Sequence, residues 1–474
     1  MQKKKIVLLI TSILIHSIVF CNPTTQSEYY ITIHKTNPFK VTIKTKLDIT
    51  ADTLFINPVC PSYDYPQGWS TFINPLSEGL TFIGNSTWKA SNNREIAYEV
   101  DLSFVKEKWE AGNEQAGTYI DSSIFVVTRA LFLTSDIDEQ FKVTFNLPEG
   151  YTISTPWTQI GENIYQVNSL EDLTNNTLVW GRFNPETVCL ENFKLELALL
   201  GYGQNIHEIV GKTFQAILKK YLGIFPTTPE SNYLITVFPS EQNDGEAYAT
   251  SNAFTLNSPP TIQNKVIWAN QFAHELFHYW NGRMINGPER SKRQWFSEGF
   301  TEYFANLSLV QTGIISEDQF YRLTEKTIGL YFYFRNSQYP EVSLLVAGSD
   351  KSKYRFGVYN GGWCTAFVMD MMIREKYPDK SLQNFMNVLF TKYGLNDEEY
   401  IYEDLKREFN DFINIPNNDF FEKYISGIDV LPVERYLNKM GIILDYTSYE
   451  GTAFLFNNPK SSKDQLMIKD QWLK

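Results

Sequence analysis

Two histidines and a glutamate carry the clearest chemical signal in this sequence. His274 and His278 lie four residues apart, with Glu275 between them. Residues four apart on a helix share one face, so both imidazoles can reach the same ion, and the glutamate can meet a water molecule on it. This is the H-E-x-x-H pattern, in which the histidines bind zinc and the glutamate is the general base. We therefore predict a Zn²⁺ site at which Glu275 activates water.

A third protein ligand is expected, because a catalytic zinc usually has three and leaves its fourth position to water. Glu298 is the best candidate: nineteen residues separate it from His278, enough for one helix to end near Gly282 and a second to return. Glu302 follows four residues later and shares its face. We assign Glu298 to the metal and Glu302 to orienting a ligand histidine through its free ring N–H. The reverse assignment stays open.

The alternative is that these histidines belong to an ordinary amphipathic helix. The chain has only five histidines. Two of them in register, followed at short range by a glutamate on a second helix, favour the metal site.

The elements around the motif form a β-rich first part and a mostly helical last part. Alternating apolar residues and turn signals predict a sandwich or a curved sheet between about residues 29 and 200. The strands expected there are 39–44, 54–59, 96–105, 124–134, 141–147, 177–183 and 193–200. A helix at about 205–223, a strand at 233–238, a loop at 243–250 leading into another strand, and metal-binding helices at about 263–280 and 297–310 follow. Ser316 with Gln319 predicts a capping box for a helix from Glu317. Further helices are expected at 362–376, 382–392 and 398–412, and the last thirty residues read as irregular.

The N-terminus reads as a targeting segment. Three lysines precede an apolar stretch, residues 6–20, which is too short for a convincing membrane span. Cleavage after Cys21 and lipid attachment to Cys21 are both compatible with the pattern, so membrane attachment through a lipid is open. We expect an exported protein that is periplasmic, extracellular or lipid-anchored at the cell surface.

The net charge and the cysteine content argue against a nucleic-acid-binding protein and against a fold built on a disulfide framework. The formal net charge is −12, and an acidic chain is a poor polyanion binder, so we expect no nucleic acid partner. Export permits a disulfide between Cys60 and Cys189, but the remaining cysteines form no framework and read more readily as scattered thiols.

Several segments resemble the glycyl aminopeptidase family of gluzincin metallopeptidases, which is related to the aminopeptidase N family. The segments are His274-Glu275-Leu276-Phe277-His278-Tyr279-Trp280-Asn281, Trp295-Phe296-Ser297-Glu298-Gly299-Phe300-Thr301, Tyr359-Asn360-Gly361-Gly362, Met369-Asp370-Met371-Met372-Ile373-Arg374 and Phe420-Phe421-Glu422-Lys423-Tyr424-Ile425-Ser426-Gly427. The resemblance covers most of residues 28–445. It implies an α+β multidomain protein with a β-rich, sandwich-like N-terminal domain, a thermolysin-like zinc catalytic domain and a C-terminal helical domain. The expected bounds are 1–21 for the signal peptide, 22–202, 203–320 and 321–445 for these domains, and 446–474 for a tail.

The resemblance also implies roles for residues outside the motif. Tyr359 matches the tyrosine whose phenol O–H stabilises the oxyanion formed during peptide hydrolysis, and Tyr354 is the alternative. Glu246 corresponds to the glutamate of the family's Gly-Gly-x-Glu-His strand, which holds the substrate's N-terminal ammonium. The flanking glycines and histidine of that strand are not conserved in Asp244-Gly245-Glu246-Ala247, so Glu246 can equally be read as a solvated loop acid.

These observations predict a zinc-dependent peptidase acting on peptides or proteins, and most specifically an aminopeptidase releasing small N-terminal residues such as Gly or Ala. An exported zinc endopeptidase is the first alternative. A non-catalytic surface module that keeps the peptidase fold is the second, although such a module would usually have lost a ligand or the base. Glycan binding by the β-rich domain is a further alternative, which is compatible with catalysis.

Overall fold

The structure is a computed structural model that describes residues 26–47, 52–57, 67–90, 95–103, 117–190, 193–225, 232–415, 419–447 and 449–474. The predicted signal peptide, Cys21 and Cys60 lie outside these residues, so cleavage, lipid attachment and the Cys60–Cys189 pair stay predictions. In the described part, the Cys189 side chain is exposed and the Cys364 side chain is buried. No helix in these ranges is both long and apolar enough to cross a membrane.

Strands dominate the chain up to residue 256. In chain order they are β1 (Ser27–His34), β2 (Asn37–Lys46), β3 (Thr53–Phe55), β4 (Ile73–Pro75), β5 (Leu80–Gly84), β6 (Thr87–Ala90), β7 (Glu95–Asp101), β8 (Gly117–Ile120), β9 (Ser123–Val127), β10 (Phe141–Asn146), β11 (Thr152–Ser154), β12 (Thr158–Gly161), β13 (Ile164–Val167), β14 (Thr177–Gly181), β15 (Glu186–Leu190), β16 (Phe193–Leu199), β17 (Asn232–Pro239), β18 (Asp244–Ala247), β19 (Ser251–Leu256), β20 (Ile442–Thr447) and β21 (Thr452–Asn457). Most of the strands predicted before residue 200 coincide with members of this set.

Helices dominate the rest. They are α1 (Leu170–Thr174), α2 (Gln204–Ile224), α3 (Lys265–Phe277), α4 (Arg290–Gln311), α5 (Glu317–Tyr333), α6 (Leu344–Ala347), α7 (Gly362–Lys376), α8 (Leu382–Leu389), α9 (Tyr402–Phe412), α10 (Phe420–Tyr424), α11 (Val433–Lys439) and α12 (Lys463–Leu473). The predicted α+β organisation, β-rich first and helical last, is confirmed. The domain bounds themselves stay predictions.

The N-terminal region stacks two larger sheets. The order is β12-β13-β10-β1-β2-β7-β4 in the first and β11-β14-β9-β8 in the second, with a smaller sheet β3-β6-β5 beside them. Strand β9 is buried at all five positions: Ile124 and Val126 face the seven-stranded sheet, while Phe125 and Val127 face strands β16, β17 and β19. The four-stranded sheet is therefore covered on both faces, which explains its uninterrupted apolar sequence.

The next region of the chain begins with a five-stranded sheet in the order β15-β16-β17-β19-β18. Helix α2 buries one apolar side against it, and the stacked rings of Phe214 and Phe272, with centroids 4.7 Å apart, join α2 to α3. The predicted loop at 243–250 is wrong for Asp244–Ala247, which forms β18, antiparallel to β19 at the edge of this sheet. Pairing with the fully buried β19, rather than any alternation of its own, makes this segment a strand.

Helix α4 is longer than predicted, since it starts at Arg290 and not near Ser297. The first two turns of α4 are polar, and the apolar periodicity begins only at Trp295. The periodicity therefore did not indicate the earlier start of the helix. The helix ends just before Gly313, whose φ of 70° allows the chain to turn. Helix α5 begins as predicted: Ser316 Oγ accepts a hydrogen bond from Gln319 N–H, and the Gln319 side chain accepts one from Ser316 N–H.

The last thirty residues are regular, so the expected irregular tail is wrong. Strands β20 and β21 pair as a hairpin, and buried Ile442, Leu444 and Leu455 alternate with exposed neighbours. Helix α12 then places Trp472 in the core, where its indole N–H donates to the Tyr303 hydroxyl at 2.9 Å. The alternating pattern was present in the sequence, but packing against α4 and α5 is what holds these short elements in place.

Helices α4 and α7 are in backbone contact at two glycines. A Cβ built on Gly299 would overlap the backbone of Gly362 and lie 2.7 Å from the amide nitrogen of Trp363, and a Cβ on Gly362 would lie 2.8 Å from the Cα of Gly299. Gly299 directly follows Glu298, and Gly362 directly follows the turn that carries Tyr359. This crossing therefore sets the distance between a predicted metal ligand and the predicted oxyanion donor.

We expect Gly299→Ala to destabilise the protein by about 1–3 kcal/mol, because overpacking two backbones in contact forces the helices apart. Thermal unfolding would measure the change. Gly223→Ala in α2 is the matched control: its Cβ meets nothing within 4 Å, and alanine is the better helix former. Equal melting temperatures for Gly299→Ala and the wild type would show that the crossing is not as tight as described.

Candidate metal centre and active site

Helix α3 places the two histidines at its last turn. Trp268, Phe272 and Leu276 anchor the buried side of the helix in the main core. His274 lies in the final turn and His278 is the residue that caps the helix. Both rings project towards α4, with centroids 4.8 Å apart.

The ligand atoms of His274, His278 and Glu298 converge on one point. The two Nε2 atoms are 3.1 Å apart, and Glu298 Oε2 lies 3.5 Å from Nε2 of His274 and 3.4 Å from Nε2 of His278. Three atoms bound about 2.0–2.1 Å from a tetrahedral zinc are separated by roughly 3.3–3.4 Å. The residues therefore fit a zinc ion with little movement. Within the described ranges, these three form the only cluster of His, Cys, Asp and Glu spaced to hold a metal.

The other ring nitrogens are held by hydrogen bonds. His274 Nδ1 lies 2.8 Å from Glu302 Oε2, and His278 Nδ1 lies 3.0 Å from the carbonyl oxygen of Asn281. Each Nδ1–H donates to its oxygen, which leaves Nε2 free to bind a metal. Glu302 thus lies next to Nδ1 of His274, and Glu298 is the carboxylate whose oxygen converges with the two Nε2 atoms, the arrangement that the assignment of Glu298 to the metal requires.

Asn281 was missed as a functional residue, because the sequence marked it only as part of a helix stop. Its carbonyl orients His278, and its buried side-chain amide lies 3.2 Å from each of three acceptors on α4: Phe296 O, Ser297 O and Thr301 Oγ1. It therefore ties the end of α3 to the turn of α4 that carries Glu298. An asparagine directly after H-E-x-x-H-x-x was the available signal.

The carboxylates dominate the electrostatics of the centre. Burial lowers the pKa of His274, but Glu298 and Glu302 outweigh it and raise that pKa to about 10. Burial raises the pKa of Glu298, yet His274, His278 and Lys351 together hold it well below its ordinary value. The centre is therefore a site of negative charge that keeps a proton on His274, and a bound metal ion would displace that proton.

A cleft of about 610 Å³ opens over this centre. Its lining includes Glu275, Glu298, Tyr359 and Glu246. Gly245 lets the edge strand β18 approach α3, since a Cβ there would lie 3.1 Å from Glu275 Cγ. A second cleft, of about 630 Å³, lies beside β12 and β13 and contains no such cluster. The cleft lined by Glu275 is therefore the candidate active site.

Tyr359 lies in the π-helical turn Phe356–Gly361, directly before α7. Its ring stacks on that of His274, with centroids 6.1 Å apart and an interplanar angle of 24°. Burial and the nearby Glu298 carboxylate raise the pKa of Tyr359 well above its ordinary value, although Arg355 opposes them. The hydroxyl therefore stays protonated and can donate. The alternative, Tyr354, packs against Tyr339 and does not line the cleft.

We expect Tyr359→Phe to reduce kcat by about 10²- to 10³-fold with a smaller change in KM, because removing one oxyanion donor acts on the transition state. Steady-state kinetics on a peptide amide would measure both constants. Tyr354→Phe removes a hydroxyl five residues away and should retain near-normal turnover. If the two variants behave alike, Tyr359 is not the donor.

Glu246 lies on the wall of the cleft and is not a solvated loop acid. Its carboxylate accepts a hydrogen bond from Arg129 Nη1 at 3.1 Å and one from the Tyr248 hydroxyl at 3.3 Å. Burial raises the pKa of Glu246, and Arg129 and Tyr248 oppose that shift. Arg129 is itself fixed by Asn175 and by the Tyr248 ring.

Two basic residues of the site were not predicted. Lys351 Nζ donates to Glu298 Oε1 at 2.8 Å and lies 5.7 Å from the Tyr359 ring centroid. Arg129 comes from the N-terminal β-rich region and reaches Glu246 across 117 residues of sequence. No local pattern marks either residue, because each finds its partner only through the packing of distant elements.

Comparison with known proteins agrees with this geometry. The family model described as M61 glycyl aminopeptidase matches residues 268–344, which include most of α3 and all of α4. The solved structure of an aminopeptidase N family protein from Idiomarina loihiensis has a TM-score of 0.72 and 16% sequence identity, and the match covers 89% of this chain and 79% of that chain. No curated protein sequence matches the chain.

The structural match shows a shared fold, and the family match falls on the segment that brings His274, His278 and Glu298 together. Fold class, motif and ligand geometry agree. The chain is therefore similar to the M61 glycyl aminopeptidase family over residues 268–344 and shares its fold with an aminopeptidase N family protein, which indicates a peptidase.

Proposed function

We propose that this peptidase is a zinc-dependent aminopeptidase. The observation that carries the proposal is the placement of Glu246 in the same cleft as Glu275 and the converging atoms of His274, His278 and Glu298. A half-buried carboxylate in the same cleft as the proposed hydrolytic residues is suited to a substrate's N-terminal ammonium, through charge-assisted hydrogen bonds.

Each residue has a role in the proposed reaction. Zn²⁺ held by His274, His278 and Glu298 would polarise the scissile carbonyl and lower the pKa of a bound water from about 15.7 to about 7. Glu275 accepts a proton from the attacking water and delivers it to the departing amine. Tyr359 donates its hydroxyl hydrogen to the developing oxyanion.

Strand β18 provides the means to align a peptide. It lies at the edge of its sheet and is paired on one side only, with β19. An extended substrate can add to such an edge through main-chain hydrogen bonds. With its ammonium at Glu246, the peptide would place its first peptide bond near Glu275. The similarity to glycyl aminopeptidases supports the release of small N-terminal residues such as Gly or Ala.

The test is Glu246→Gln, which keeps the shape and removes the charge. We expect kcat/KM for alanyl and glycyl amides with a free amine to fall by roughly 10- to 100-fold, the value of a hydrogen bond between charged groups. The N-acetylated amides, which lack the ammonium, should be poor substrates of both proteins.

An equal loss on free and acetylated substrates would remove the support for an aminopeptidase. One observation favours the alternative endopeptidase: Arg129 already compensates the charge of Glu246. Efficient cleavage of blocked peptides by the wild type would establish that alternative.

We further propose that the protein is exported, as the basic and apolar character of residues 1–21 suggests. Mass spectrometry of the mature N-terminus would test it. A chain starting at Asn22 indicates ordinary cleavage, an acylated Cys21 indicates a lipid anchor, and a retained Met1 contradicts export.

A further inference from the structure

One side of the active-site cleft is basic, although the chain as a whole has a net charge of −12. Arg283, Arg290 and Arg293 all line it, and we call these three residues the arginine wall. The wall adjoins the metal centre, because Arg293 and Gln294 lie one helical turn before Ser297 and Glu298. Such a concentration of positive charge attracts an anionic group.

The arginine wall is only partly neutralised by the protein. Arg283 Nη2 lies 3.4 Å from Asp172 Oδ1. Neither Arg290 nor Arg293 forms an ion pair with any acidic side chain of the described residues. At the base of the wall, Arg293 Nε and Gln294 Oε1 are buried without a hydrogen-bond partner in that same part of the chain. Arg293 is half-buried and has the neutral Tyr400 hydroxyl as a neighbour, so no carboxylate neutralises its guanidinium group and the wall is suited to receive an anion.

Contacts through helix α1 link the wall to Glu246, and both line the same cleft. Helix α1 and the residue after it connect the two: Asp172 contacts Arg283, and Asn175 accepts two hydrogen bonds from Arg129, at 3.0 and 2.8 Å. Arg129 in turn holds Glu246. The wall is therefore connected to the part of the cleft that would hold the substrate's first residue, whose ammonium is proposed to lie at Glu246.

The axial distance along α4 agrees with this position of the arginine wall. Arg290, Gln294 and Glu298 are spaced by four residues and share one face of the helix, so Arg290 lies about 12 Å before Glu298 along the axis. A long arginine side chain covers part of that distance, and the substrate's own side chain covers the rest. Gly and Ala end short of the wall, whereas Asp and Glu carry a carboxylate towards it.

We propose that the arginine wall binds a side-chain carboxylate of the substrate's first residue, so that peptides beginning with Asp or Glu are preferred over those beginning with Asn or Gln. This proposal rests on the aminopeptidase function proposed above. A guanidinium group binds a carboxylate by paired, charge-assisted hydrogen bonds, while an amide of the same shape turns N–H donors towards it.

The test compares hydrolysis of the 4-nitroanilides of Asp and Asn, Glu and Gln, and Ala by the zinc-loaded protein. We expect kcat/KM ratios of about 10 to 100 for Asp over Asn or for Glu over Gln, as for hydrogen bonds to charged groups. Arg290→Gln and Arg293→Gln should bring these ratios towards one. Arg290 is exposed, so its variant tests the wall without a risk to folding.

Lys292→Gln is the matched control. It removes the same charge from the same turn of α4, but Lys292 is exposed, contacts Glu289 and does not line the cleft. Its Asp-over-Asn ratio should equal that of the wild type. Binding of Asp-Ala and Asn-Ala to Glu275→Gln, followed by calorimetry, gives the same comparison without turnover.

The outcomes separate this proposal from the one it rests on. If the alanyl substrate is cleaved and the ratios are near one in both assays, the wall does not select acidic residues. If a carboxylate increases hydrolysis only in the second residue, tested with Ala-Asp and Ala-Asn amides, the wall is placed on the wrong side of the metal. If no free-amine substrate is cleaved, the aminopeptidase function fails, and preferential binding of Asp-Ala would still support the wall.

Discussion

Replacing Glu275 with Gln is expected to reduce kcat by about 10³-fold, within the range of 10²–10⁴ that general acid–base catalysis contributes. Glu275 lies in the cleft, on the helix that carries both histidines, and none of the converging ligand atoms belongs to it. The variant should therefore keep its zinc content while it loses turnover. Initial rates on alanyl and glycyl amides, with zinc measured on the same samples, would check both statements.

Glu171→Gln provides the control for Glu275→Gln. Glu171 lines the same cleft from α1, is exposed, and carries the same charge. Its replacement alters the potential of the cleft without touching the proposed base, so turnover should change little. Near-normal turnover of zinc-loaded Glu275→Gln would contradict the role of Glu275 as the base.

Glu298→Gln and Glu302→Gln are expected to differ in zinc affinity, although the two glutamates lie four residues apart on one helix face. Glu302 contacts His274 at Nδ1, the ring nitrogen that faces away from the metal position, so Glu302→Gln should weaken zinc affinity by about 10- to 100-fold, as for other groups that orient a ligand. Glu298→Gln removes a charged ligand oxygen and leaves two histidines. It should weaken affinity further and abolish turnover at ordinary zinc concentrations.

Competition with a chromophoric chelator would measure both affinities. Zinc added in excess should restore activity to Glu302→Gln and not to Glu298→Gln. The opposite result would support the reverse assignment, with Glu302 as the ligand, which the sequence alone left open. Equal and small effects would show that neither carboxylate holds the metal as the geometry indicates.

The local parts of the site were predictable because they depend on helix periodicity. Residues four apart share a face in any α-helix, so His274 with His278, and Glu298 with Glu302, could be paired before the fold was known. The capping box before α5 was predictable for the same reason, since its two hydrogen bonds join residues three apart.

Two errors have a common cause, which is that tertiary pairing overrides weak local signals. Residues 244–247 read as a loop, but β19 draws them into the sheet as its edge strand. The segment after residue 441 read as irregular, but burial of Leu455 and Trp472 stabilises a hairpin and a helix there. Short elements of this kind are rarely stable alone, so their sequences need not be strongly periodic.

The sequence by itself determined which residues are candidates for the chemistry: the expected metal ligands, the expected base and the family resemblance all lie in short segments. Only the tertiary structure decided what surrounds them. It brought Arg129 to Glu246 across 117 residues and Lys351 to Glu298 across 53. It also gathered the arginine wall beside the metal centre. Such contacts have no fixed spacing along the chain, because they arise where sheets and helices pack, and packing depends on the whole fold.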